Sequence, residues 1–109
     1  MAFDENLAAR IRKALARKKG IAEKKMFGGV GFLLNRNMLV GVWKDSLIVR
    51  LGPEQAEEAQ REPHVGEFDI TGKAMKGWVL VAPQGVADED AVKGWVRRAM
   101  KFVGKLRAK

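Results

Sequence analysis

The chain has 109 residues, 47% of them hydrophobic and 31% charged, with a formal net charge of +8 and no cysteine. This is globular composition, long enough for one core and too short for two. It excludes disulfides and cysteine-based metal sites, and it suits a reducing compartment.

The stretch Met1–Arg10 has no apolar h-region and carries Asp4 and Glu5, so no signal peptide is expected there. No apolar run reaches membrane-spanning length, so the expectation is a cytoplasmic protein with no membrane partner. The first predicted element is a helix over 4–18. Asp4 is placed as N-cap, Leu7, Ile11, Ala14 and Leu15 form one stripe, and Gly20 provides the stop.

A β-rich stretch follows. Residues 24–34 read as one strand interrupted at Gly28–Gly29, Asn35–Asn37 as a turn, 38–43 as a second strand and 47–51 as a third after a tight turn at 44–46. Short loops between successive strands imply an antiparallel meander. Pro53 then opens a short helix to about Arg61, favoured by Pro at its first position and Glu54 near its positive end. Residues 67–71 and 77–82 read as the fourth and fifth strands.

The last predicted helix is the clearest. Asp88, Glu89 and Asp90 complement its N-terminal dipole. Val92, Trp95, Val96, Ala99, Val103 and Leu106 fall on one face, with Lys93, Arg97, Arg98, Lys101 and Lys105 opposite. The expected fold is thus α+β: one domain over 1–109, two layers, a five-stranded antiparallel sheet with helices, in the order α-β-β-β-α-β-β-α.

Catalytic residues are few. Ser46 and Thr71 are the only hydroxyl nucleophiles besides water, and His64 is the only histidine. Ser46 falls in a hairpin turn, where a small hydroxyl serves local hydrogen bonding, and His64 falls in a loop. Glu54, Glu57, Glu58 and Glu62 cluster, but at spacings that give a solvated helix face. The run Gly28-Gly29-Val30-Gly31 continues as strand, whereas a phosphate loop should open a helix; a bulge or bend is the expectation there. We therefore expect no catalytic residue, no metal site and no cofactor.

Binding surfaces are better represented. Phe27, Phe32, Trp43, Phe68 and Trp78 lie near Lys24, Lys25, Arg50 and Lys76, the pairing that RNA-binding sheets expose; the competing expectation is that these aromatics are core. The positive excess lies in the terminal segments, with eight Lys/Arg against three Asp/Glu in residues 1–25 and seven against three in 88–109. On the final helix Lys93, Arg97, Lys101 and Lys105 step by four. That row could follow phosphates, weakly and without sequence preference. The candidate surface for a partner or nucleic acid is therefore Lys24, Lys25, Lys76, Lys93, Arg97, Lys101 and Lys105. The strands are apolar on both faces, which raises the expectation of a homodimer or another covering partner.

Three stretches carry a family pattern: Glu23-Lys24-Lys25-Met26-Phe27-Gly28-Gly29 followed by Phe32; Arg50-Leu51-Gly52-Pro53-Glu54; and Pro63-His64 through Phe68-Asp69, Thr71-Gly72 and Met75-Lys76-Gly77-Trp78-Val79. Together they resemble the N-terminal domain of the TfoX/Sxy family of bacterial competence regulators, over about residues 3–103. The resemblance implies a five-stranded, secretion-chaperone-like α+β fold. It also implies a non-enzymatic regulatory role exerted through a protein partner of the transcription machinery. Members of the family act with the cyclic-AMP receptor protein on DNA-uptake genes. They typically carry a second domain of helix-hairpin-helix character, and the 109 residues correspond to the first domain. The resemblance assigns no catalytic residues.

Overall fold

A computed structural model of the chain describes residues 4–26, 29–68 and 76–106. It is α+β, with helices α1 (Glu5–Ala14), α2 (Pro53–Ala59) and α3 (Glu89–Val103), and strands β1 (Ile21–Met26), β2 (Gly29–Leu34), β3 (Asn37–Trp43), β4 (Ser46–Arg50), β5 (Val65–Glu67) and β6 (Trp78–Val81). A 3-10 turn, Pro83–Val86, leads into α3. The strands form one open antiparallel sheet in the order β1-β2-β3-β4-β6-β5.

The sheet has six strands, not five. The apolar stretch expected as one interrupted strand is a hairpin: β1 and β2 pair along their whole length, from Ile21 opposite Leu34 to Met26 opposite Gly29. In sequence only Phe27 and Gly28 separate the two strands, and neither is a polar turn residue that would announce the pairing. Of the bulge or bend expected at Gly28–Gly29, Gly28 lies outside the described residues; a shift of register between β2 and β3 falls at Phe32–Leu33. There Leu39 and Val40, consecutive in sequence, are both fully buried, as a bulge allows. Of the strand expected over 67–71 only Glu67 lies in β5, which runs Val65–Glu67; Phe68 is past its end, and 69–71 lie outside the described residues.

The helices start where their caps demand. The Asp4 carboxylate accepts from the backbone N–H groups of Asn6 and Leu7, and that of Asp88 accepts from Ala91. The first helix is shorter than its periodicity suggests, ending at Ala14 and passing through a turn to Gly20, whose φ is +79°.

All three helices contribute to one core on one face of the sheet. Leu7 and Ile11 of α1, Ala56 and Ala59 of α2 and Val92, Trp95, Val96, Ala99 and Val103 of α3 join Val30, Phe32, Val40, Val42, Leu47, Val49, Val79 and Val81 in a single buried cluster. Cross-strand partners Phe32–Val40–Val49–Val79 and Val30–Val42–Leu47–Val81 run as two apolar rows across four strands. Each buried aliphatic side chain contributes about 1.5–3 kcal/mol relative to exposure, so this face organises the fold. Arg12 pairs with Glu23 of β1 (2.8 Å), Arg10 donates to the Val86 carbonyl (2.7 Å), and Arg98 pairs with Glu62 (2.9 Å), so each terminal helix is tied to a neighbouring element.

Because α2 shares the core side with α1 and α3, it does not cover the opposite face. That face alternates with the core rows: Lys24, Gly31, Gly41, Ile48 and Leu80 form its central row, with Leu33, Met38, Trp43 and Trp78 around it. Ile48 is buried, while Leu33, Met38, Trp43, Leu80 and Trp78 are half-buried.

Candidate interaction surfaces

Basic residues brought together by α1 and α3 make the most concentrated site. The two helices pack side by side across the sheet, and between their outer faces runs an open groove of about 700 Å³. Lys13, at the end of α1, and Arg17 and Lys18, in the turn after it, form one wall; Lys93 and Arg97 of α3 form the other. All five are exposed, and the floor between them is apolar: Ala14, Val96 and Met100. One carboxylate, Glu89, reaches this group, at 3.4 Å from Lys13 Nζ.

The row expected along α3 is divided. Lys93 and Arg97 belong to this groove, whereas Lys101 and Lys105 line a smaller hollow of about 240 Å³ with Leu51, Gln55, Arg98 and Phe102. Residues four apart on a helix trace a line inclined to its axis, so a row of three such steps winds from one flank to the other. Arg98, expected on the solvent face, is half-buried: its guanidinium lies 4.3 Å from the Trp95 ring centre and grips Glu62 with two hydrogen bonds. What sequence reasoning missed was the contribution of Lys13, Arg17 and Lys18. Their charge was visible, but their place opposite Lys93 follows from the packing of α1 on α3.

Other candidates fall elsewhere. Lys24 lies on the open sheet face and Lys25 on the helix side of the same edge strand, and both are exposed. Lysines on an edge strand also discourage pairing with another sheet. Lys76 shares a shallow hollow with Glu54, Glu57 and Glu67, an acidic setting that does not extend a cationic surface. The expectation that the aromatics are core holds for Phe32 and Phe68 and only in part for Trp43 and Trp78, which are half-buried; Phe27 lies outside the described residues. Each of these tryptophan rings carries a cation of its own. Lys44 Nζ sits 4.7 Å from the Trp43 ring, the Arg50 guanidinium sits 5.3 Å from the Trp78 ring, and Phe68 packs against Trp78 at 5.8 Å.

The residues considered for chemistry are not assembled. Ser46 Oγ donates to Asp45 in its own turn (3.3 Å), and His64 is exposed, with its carbonyl accepting from Ala82. Glu54, Glu57 and Glu58 face solvent on α2, while Glu62 is paired with Arg98. Among the described residues no group of three or more His, Asp or Glu is placed to hold a metal ion. No described helix is long and apolar enough to cross a membrane. The Arg12 guanidinium holds the Glu23 carboxyl below the usual carboxylate range, chiefly through its hydrogen bonds.

No curated protein and no solved structure matches the chain. A family model does: the one described as the TfoX N-terminal domain matches residues 13–103, a span running from the last turn of α1 to the end of α3. The chain belongs to the TfoX N-terminal domain family.

Proposed function

We propose that this domain is a non-enzymatic regulatory module that acts in the cytoplasm by holding a protein partner, in the manner of the competence and transcription regulators whose family it shares. The observation that carries the reading is the family match over residues 13–103. The distribution of its chemistry supports it. Charge and exposed apolar surface gather at the α1–α3 groove and on the open sheet face, while Ser46, His64 and the glutamates stay apart.

A tagged full-length chain, used as bait in its native lysate with and without nuclease, tests this reading. A stoichiometric protein that survives nuclease treatment supports it. A second reading, weak nucleic-acid binding without sequence preference, rests on the exposed cations of the terminal helices. Retention of nucleic acid alone, lost on nuclease treatment and on raising salt, would favour that second reading.

A further inference from the structure

We propose that the groove between α1 and α3 docks an acidic amphipathic helix from a protein partner, an inference that rests on the reading of the domain as a protein-binding module. Charge is the first argument. Lys13, Arg17, Lys18, Lys93 and Arg97 surround one concave surface, and the single carboxylate among them, Glu89, is engaged by Lys13 at one end. Like charges held around a groove repel one another, and an anionic occupant relieves that repulsion.

The floor decides which anion. Val96 is buried, and Ala14 and Met100 are half-buried hydrophobics at the bottom of the groove. A phosphate backbone would satisfy the walls and leave this floor wet. A helix with an apolar stripe buries the floor and presents carboxylates to both walls, the helix-in-groove mode of recognition. On α3 the wall residues Lys93 and Arg97 and the floor residues Val96 and Met100 each repeat after four positions, a rise of about 6 Å. Carboxylates and apolar side chains spaced by one turn on a docking helix repeat at the same interval.

A second copy of this chain does not supply such a helix. Its acidic helix, α2, carries Glu54, Glu57 and Glu58, but Ala56 and Ala59 are already buried in its own core.

The test is fluorescence anisotropy with the full chain and defined probes. One labelled peptide of about 18 residues carries Leu at positions i, i+3, i+4 and i+7 flanked by Glu; a second has the same composition in an order that breaks the stripe. A single-stranded and a duplex oligonucleotide serve as competitors. We expect the patterned peptide to bind at least about tenfold more tightly than the scrambled one. The double variant K93E/R97E should lose that preference, and K101E/K105E, at the end of α3 and just past it but outside the groove, should keep it. Both pairs are exposed, and thermal melts establish that each variant is folded. Equal binding of the two peptides, displacement by oligonucleotide at lower concentration than by unlabelled peptide, or equal damage from K101E/K105E would each overturn the assignment. If a nuclease-resistant partner is captured equally by K93E/R97E and by the parent chain, the groove assignment fails while the module reading stands.

Discussion

Replacing Gly52 by alanine tests the corner where the sheet meets α2 and the end of α3. Gly52 has φ +88° and ψ 156°, a region that side-chain-bearing residues rarely enter. A Cβ there would lie 2.6 Å from two ring carbons of Phe102, a side chain of α3 that also sits 5.9 Å from the Arg50 guanidinium. Backbone strain of this kind costs about 1–3 kcal/mol. Movement of the Phe102 ring adds to it, and the reduced freedom of the unfolded chain offsets about 0.4–1 kcal/mol. The net expectation is a loss of about 1–3 kcal/mol, or roughly 4–12 °C in melting temperature for a domain of this size. Thermal unfolding followed by circular dichroism measures it. Gly66→Ala is the control: it has open space around the would-be Cβ, and its change should stay within about 0.5 kcal/mol. If Gly52→Ala melts together with the parent and the control, the corner is not held by the backbone geometry described.

The two tryptophans should separate in the same assay. Trp95→Ala should cost about 3–5 kcal/mol because it empties a buried site, whereas Trp78→Ala, half-buried between Phe68 and Arg50, should cost less, about half that. Leu39→Ala, at the fully buried bulge, should cost about 2–5 kcal/mol by chemical denaturation. For Glu23, whose pKa is lowered by Arg12, the pair stabilises the fold above the ordinary carboxylate range. That contribution is lost as pH falls through the lowered folded-state value. Glu23→Gln should therefore be slightly less stable than the parent at neutral pH, and the gap should close in acid. A gap that widens in acid would refute the assigned direction.

Amphipathic periodicity made α3 legible, and its apolar stripe from Val92 to Val103 is the set that is buried; Leu106, expected on the same stripe, lies past the helix end and is half-buried. Capping chemistry located the start of α1 through Asp4, and the acidic run Asp88–Asp90, read for its fit to the helix dipole, located that of α3, where Asp88 is the cap. The β1–β2 hairpin was not legible, since a continuous run of Met, Phe, Gly, Val and Leu carries no polar turn between Met26 and Gly29. The exposure of Trp43 and Trp78 was hidden for a different reason. Strands apolar on both faces do not reveal which face the helices take, and residue size alone argued for burial. Of the candidate surface, Lys93 and Arg97 were legible as a helical pair. Lys13, Arg17 and Lys18 are distant in sequence, and only the packing of α1 against α3 brings them opposite.

Site-specific photo-crosslinking tests most directly the claim that the domain works by holding a protein at the α1–α3 groove. A photoreactive residue replaces Ala16, exposed on the groove wall, or, as reference, Gly66, exposed on an edge strand away from it. Each full-length variant is irradiated in its native lysate and then treated with nuclease. The expected result is a discrete, nuclease-resistant protein adduct from position 16 that position 66 does not give and that K93E/R97E abolishes. Adducts of equal yield from both positions, or an adduct at position 16 that consists of nucleic acid, would contradict the claim.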